Sequence, residues 1–398
     1  MNPAIPHIAG RIASRGWQWQ QSSTANHPFS GGGGKSMAAE LIFNLSKETS
    51  KMKKIAVGLC FAVSTIAAGI SDQAIAADSP LPSNVRVVIG STSTGGDTYQ
   101  VSAIVADALA QKLRINAKVD AVGPTAAFQA IAKSDDGSTI MLFHDQSYVG
   151  HLYGVRGFSD IFKEYKIGPT VAINPGDSFL VPTKSPYKTV DDLIQAAGHD
   201  KRIRVAIQPG GTSALGYTAL KNAVSVRFPG KEGNVVAVNT GSQADKNQLL
   251  FDGNADVING SVQANEQYTR LPADDQKAMR FVWITARKQT LEQANPEGLG
   301  QTSREQLLAF ATPAASVTLD GTKDWAFDKE FFLIYNKDMK PEVVAALDKA
   351  LAEIYAEGTI QATLKKSFFI PNFMPSAEAE KYLKEKNDET KKLIDKIR

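Results

Sequence analysis

The sequence predicts an α/β protein of two similar lobes, and three observations carry that prediction. After Asp78, short β-branched runs alternate with segments of helical periodicity. A glycine-pair loop, placed where a strand gives way to a helix, occurs twice. It belongs to a longer repeated pattern: Gly95 and Gly210 lie 115 residues apart, and Val122 and Val238, like Gly137 and Gly253, lie 116 apart. The chain has 398 residues, 43% hydrophobic and 21% charged, which is enough for two domains with real cores or one large α/β domain and excludes a disordered tail or a small disulfide knot.

In the first lobe, Val85 to Gly90 reads as a strand that ends in the loop Ser91 to Thr98. A helix follows, because Val101, Ile104, Val105, Ala108 and Leu109 recur at helical spacing. The strand Lys118 to Val122 leads to Gly123-Pro124-Thr125 and a helix through Phe128 and Ile131, and Asp136-Gly137 then turns the chain into the strand Thr139 to Phe143. The same order returns in the second lobe. Arg202 to Ile207 is a strand, Gln208 to Ser213 a glycine loop, and Leu215, Ala219, Leu220 and Val224 mark a helix. Val235 to Val238, a helix through Leu249 and Leu250, the turn Asp252-Gly253 and the strand Ala255 to Ile258 complete it. Each lobe is thus expected to be one βαβαβ unit.

Between the lobes, Ser178 to Thr183 is an apolar strand, and Thr189 to Asp192 has the form of a capping box that opens a helix through Leu193 and Ile194. A second capping box spans Ser303 to Gln306. Glu330 to Tyr335 is a further strand, and Pro341 opens a helix that Gly358 closes. The last segment, Ala377 to Ile397, is so highly charged that it reads as a solvated surface helix. The chain is expected to cross between lobes near Phe179 and near Phe331. Residues 78–179 and 330–398 would then form the first lobe and residues 180–329 the second.

The amino-terminal part reads as an address. Lys53 and Lys54 precede an apolar run from Ile55 to Ile70, and Ala74-Ile75-Ala76 follows. A short basic region, an apolar core and an A-x-A site make a secretory signal peptide over residues 52–77, and the run is too short for a membrane anchor. Residues 1–51 lie upstream of a plausible start at Met52 and are not expected in the exported, periplasmic protein. The run GGGGKS, Gly31 to Ser36, lacks the first glycine and the preceding strand of a phosphate-binding loop. Cys60, the only cysteine, falls in the apolar run, so thiol chemistry is unavailable after processing. Seven basic and three acidic residues precede Asp78, which leaves 37 basic and 38 acidic residues beyond them. That balance excludes a nucleic-acid footprint.

Ligands of open α/β sheets bind beyond the carboxyl ends of the strands, where both glycine pairs lie. Helix amino termini present free N–H groups and partial positive charge, so two of them facing across a cleft would hold a small carboxylate without any arginine. The plainer reading is that the glycines only permit tight turns. Catalytic signals are sparse. His144, His151 and His199 have no metal-ligand spacing, and no nucleophile elbow occurs, so the expectation is no catalytic residue, no metal and no cofactor. The rival is a secreted hydrolase or lyase that uses Asp97, His144 or Asp145.

Residues 84–375 resemble the extracytoplasmic solute-binding proteins of tripartite tricarboxylate transporters, the Bug or TctC-like family. The resemblance rests on VRVVIGSTSTGGDT, DDGSTIML, SPYKTVDDLIQAAG leading to VAIQPGGTSALG, VNTGSQADKNQLLFDGNADVING and FFLIYNKDMKPEVVAALDKAL, in that order. It implies a two-lobed, type II-like periplasmic-binding-protein fold, with a carboxylate held between the glycine loops partly through main chain and water. By position it implicates Gly96, Asp97, Thr98 and Tyr99 from the first loop and Gly211, Thr212 and Ser213 from the second. The neighbouring turns would add His144, Asp145 and Gln146, then Thr240, Gly241, Ser242 and Asn259. The implied partners are a small organic carboxylate and membrane transporter subunits, or a two-component sensor that reads the loaded protein, with the binding protein itself a monomer. Two departures bear on ligand identity: Tyr99 stands where the family commonly has aspartate, and Asp120 to Pro124 replaces an Asn-Arg-Pro-Gly stretch.

Overall fold

In the computed structural model, residues 80–397 are described; the signal-peptide segment, GGGGKS and Cys60 lie outside them. Three parallel strands begin each half. In the first, β1 (Asn84–Ile89) is flanked by β2 (Asn116–Ala121) and β3 (Thr139–His144). In the second, β6 (Ile203–Ile207) is flanked by β7 (Val235–Asn239) and β8 (Val257–Gly260).

Each trio is extended by an antiparallel strand that arrives from the other half. β5 (Ser178–Pro182) lies between β8 and β9 (Met279–Arg287), and β11 (Lys329–Asn336) lies between β3 and β4 (Tyr165–Asn174). With β10 (Ala311–Thr312) and β12 (Ile370–Met374), the two six-stranded sheets have the orders β12-β4-β11-β3-β1-β2 and β10-β9-β5-β8-β6-β7. The repeat seen in the sequence is therefore a repeat of sheet topology, and the fold is the expected two-lobed α/β class.

Helices follow from the spacing of their apolar residues. Helix α1 (Asp97–Leu113) buries Val101, Val105 and Leu109, and α2 (Pro124–Ile131), begun by its proline, buries Phe128 and Ile131. Helix α3 (Gln146–Leu152) follows β3 directly. Thr189 closes a capping box with Asp192 at the start of α4 (Val190–Gly198), and Ser303 does so with Gln306 ahead of the short helix Arg304–Leu308. Helix α5 (Thr212–Arg227) buries Leu215, Ala219, Leu220 and Val224, whereas α6 (Gln243–Phe251) buries Lys246, Asn247 and Leu250. Helix α7 (Pro341–Glu357) ends at Gly358, whose φ of 87° suits only glycine at low cost. Helix α8 (Thr359–Lys366) leads to β12.

The crossings are sewn together. The Asp177 N–H donates to Thr285 Oγ1 and the Thr285 N–H to the Asp177 carbonyl, both at 2.9 Å. The Thr285 hydroxyl in turn donates to the Phe327 carbonyl at 2.9 Å. Gly176 makes the approach possible, because a Cβ there would lie 2.3 Å from Thr285 Oγ1 and 2.6 Å from the Phe327 carbonyl oxygen.

One expectation is overturned. The final helix, α9 (Ser376–Ile397), is not a solvated appendage: Ala379, Leu383, Thr390, Leu393 and Ile394 are buried along one face. It packs on β4 of the first sheet and on α5 beside the second. Leu383 and Ile394 belong to a core that also contains Phe143 from the first lobe and Leu215 and Val224 from the second. Each side chain of that size contributes about 1.5–3 kcal/mol on burial, which outweighs the solubility suggested by the helix's many charges. Strands β4 and β9 are absent from the sequence reading. Gly168-Pro169 punctuates β4 like a turn, yet Gly168 lies under the Tyr335 ring, where a Cβ would come within 2.7 Å.

Candidate functional site

Between the sheets, the loops beyond β1, β3, β6, β7 and β8 surround a cavity of about 560 Å³. Of the residues singled out in the sequence, Gly96, Asp97, Thr98, His144, Gln146, Thr212, Ser213, Gly241 and Ser242 line it. Five do not. Tyr99 is half-buried one position further along α1. Gly211 spends its N–H on the Gln208 carbonyl at 3.0 Å while it caps α5. The Thr240 hydroxyl turns back to the Ile207 and Ser242 carbonyls. Asn259 is fully buried, and its Nδ2 donates to the Ser213 carbonyl at 2.8 Å.

Asp145 is also fully buried and faces α9. Its carboxylate accepts from Lys386 Nζ at 2.8 Å, from the Tyr148 hydroxyl and from the Glu330 N–H. Adjacent residues of β11 divide the same way: Lys329 lines the cavity, while Glu330 points to Asn372 and Tyr382. Burial pushes the Glu330 carboxyl up to about 8 against the pull of Lys386.

The two glycine loops build helix ends of the same backbone shape. Gly96 has φ −88° and ψ 167°, and Gly211 has φ −87° and ψ 174°. Their side-chain surroundings differ. At α1 the helix carries its own acid: Asp97 Oδ1 accepts from the Thr98 N–H at 2.8 Å, and Oδ2 accepts from Lys329 Nζ at 2.6 Å and Asn174 Nδ2 at 2.8 Å. Burial opposes the charge of Asp97, but Lys329, with help from His144 and Asn174, outweighs it and the carboxyl is held at about 2. The same pairing raises Lys329 despite its burial.

The α5 end has no acid in its first turn. Its neighbour is Lys246, 4% exposed, whose Nζ donates to the Asn259 carbonyl at 2.5 Å. Lys246 makes no ion pair among the described residues, and burial lowers it to about 8, with only through-space support from Asp177 and Asp97. His144, buried at the cavity wall, is pushed well below the usual histidine range by burial and by Lys329, so it is neutral; its Nδ1 accepts from the Gln146 N–H at 3.2 Å. Asp177 lines the cavity at 2% exposure, and its carboxylate accepts no hydrogen bond among the described residues.

Lys246, Lys329 and Asp177 were not anticipated from the sequence. A signal existed for the first, because Lys246 stands four residues before the buried Leu250 and shares its helix face. Lys329 opens a strand buried on both faces, where period-two alternation carries no information about exposure.

No protein-family model matches the chain, and no curated protein matches its sequence. Solved structures do match. The periplasmic binding protein BugD is 18% identical with a TM-score of 0.58, over 79% of this chain and 97% of that one. MatC from Rhodopseudomonas palustris with bound malate is 16% identical with a TM-score of 0.58, over 78% of this chain and 98% of that one. R. palustris Rpa4515 with adipate is 16% identical with a TM-score of 0.61, over 78% and 95% respectively. At these identities the likeness is one of fold, and the chain has the two-lobed fold of these structures.

Proposed function

We propose that the chain is an exported solute-binding protein of the tripartite tricarboxylate type. It captures a small organic carboxylate between its lobes in the periplasm and delivers it to membrane transporter subunits. The observation that carries the reading is the α5 end: an acid-free helix amino terminus beside a buried lysine without an ion partner, both lining the interlobe cavity. Such an end offers N–H donors and an ammonium without an ion-pair partner, and a carboxylate accepts from both. The fold shared with structures that hold malate and adipate supports the same reading.

The lobes meet the ligand from residues 78–179 with 330–398 on one side and residues 180–329 on the other. Gly96, Thr98, Gln146, Thr212, Ser213, Gly241 and Ser242 contact it or the water around it. The acid/base candidates are differently employed. Asp97 is ion-paired, Asp145 is turned to α9, and His144 is neutral and accepts a backbone N–H.

A melting-temperature screen with dicarboxylates, tricarboxylates and aromatic acids tests the reading. A ligand at one hundred times its Kd adds about 2.7 kcal/mol, which raises the melting temperature by a few degrees. No shift with any acid, or turnover of the acid that binds, contradicts it.

A further inference from the structure

The carboxylate reading leaves one group in the cavity unexplained. Asp177 is 2% exposed, one of its oxygens is sealed from solvent without a donor, and nothing among the described residues donates to its side chain. A buried carboxylate without donors is costly. Two cations act on it through space, but both have other engagements, Lys246 with the Asn259 carbonyl and Lys329 with Asp97. Its main chain is held in place, because its N–H and carbonyl are both bonded to Thr285 at the crossing between sheets. Asp97, the other acid of the cavity, is already satisfied by Thr98, Asn174 and Lys329. Asp177 is thus an acceptor without a donor, lining the same cavity as Lys246 and the α5 end.

A plain carboxylic acid would serve Lys246 and α5, yet it would leave Asp177 without a donor and bring a second negative charge toward it. We propose that the ligand is a small carboxylate that also carries a hydrogen-bond donor, ammonium or hydroxyl: the carboxylate sits at the α5 end beside Lys246 and the donor on Asp177. This rests on the reading of the cleft as a carboxylate site and narrows the class of acid that it takes.

Calorimetry on the protein with two matched series tests it: propionate, lactate and alanine, then succinate, malate and aspartate. In each series that binds, the donor-bearing acids bind at least about tenfold tighter than the plain one, the worth of a hydrogen bond to a charged group. Aspartate above malate marks an ammonium, and malate at or above aspartate marks a hydroxyl. In Asp177→Asn, which keeps the shape and removes the charge, the preference falls below about threefold while the plain acid binds as well as before or better. Melting followed by circular dichroism verifies that the variant folds, and Lys246→Met provides the contrast, weakening every member of a series alike.

Equal binding across a series in the unmodified protein, or a preference that survives Asp177→Asn, overturns the proposal and leaves the carboxylate site standing. The second outcome would mean that water already serves Asp177. Absence of binding by all six also overturns it. The melting screen then decides separately whether the cleft takes carboxylates at all.

Discussion

The amino termini of α1 and α5 are the same backbone device used in two ways. Both follow the first strand of a βαβαβ unit, and both are capped by a glycine in the same extended conformation. At α1 the partial positive charge is met from within, since Asp97 occupies the first helical position and is held there by Lys329 and Asn174. At α5 that position is Thr212, and Lys246, which lines the same cavity, makes no ion pair among the described residues. The two helix ends share one backbone form, and a single side chain decides which of them carries an acid of its own.

The largest expected effect comes from making the second end resemble the first. Thr212→Asp places a carboxylate where Asp97 sits in the other lobe. It should not harm folding, because an acid in the first turn of a helix is favourable by roughly 0.3–1 kcal/mol. Binding of any carboxylate should nevertheless weaken by at least about one hundredfold, since a like charge across the contact costs several kcal/mol. Wild-type affinity in a folded Thr212→Asp protein would show that the α5 end does not hold the ligand.

Stripping the first end should act on stability. Lys329→Met leaves Asp97 in place without its main partner, and breaking such a buried pair costs about 3–5 kcal/mol. The pair is almost wholly enclosed, with side chains 8% and 11% exposed, so solvent offers little relief. Adding Asp97→Asn should restore much of the loss. A double variant as unstable as the sum of the singles would mean that the two groups are not coupled.

The smallest effect is a pH dependence that only the second end should show. Lys246 titrates near 8 in the folded protein and near 10.5 when unfolded. Below pH 8 both states carry the proton and the cost of burying the charge is borne in full. Between pH 8 and 10.5 the folded state has fewer protons than the unfolded one, so the unliganded protein gains stability as pH rises. Affinity moves the other way: once Lys246 is neutral, carboxylate binding should fall by up to about tenfold per pH unit. Asp97, held near 2, stays charged throughout. A Lys246→Met protein should lose this slope, and a slope that persists would point to another titrating group.

Punctuation carried most of the fold. Gly137 and Gly253, matched in the sequence, both adopt positive φ, 85° and 68°, and both predicted capping boxes form. These are local devices, and local chemistry specifies them. Long-range packing was harder to read. Strand β9 has six buried residues in a row, Phe281 to Ala286, preceded by a buried methionine and an arginine of intermediate exposure, so no alternation marks it as a strand. Helix α9 hides a core-facing stripe among lysines and glutamates, because of its buried residues only Leu383, Leu393 and Ile394 are strongly apolar. The site was legible on its main-chain side and silent on its charges. Lys246, Lys329 and Asp177 are neighbours only through the meeting of α6, β11 and the crossing segment, and nothing in their separate sequence surroundings announces one another.

The central claim, that α5 rather than α1 receives the ligand's carboxylate, is tested most directly by a crystal structure with the tightest-binding acid of the screen. The account predicts a carboxylate within hydrogen-bond reach of the Thr212 N–H and Lys246 Nζ, with the Asp97–Lys329 pair intact. A carboxylate seated at the α1 end, with Lys329 drawn off Asp97 and Lys246 still bonded only to Asn259, would contradict it.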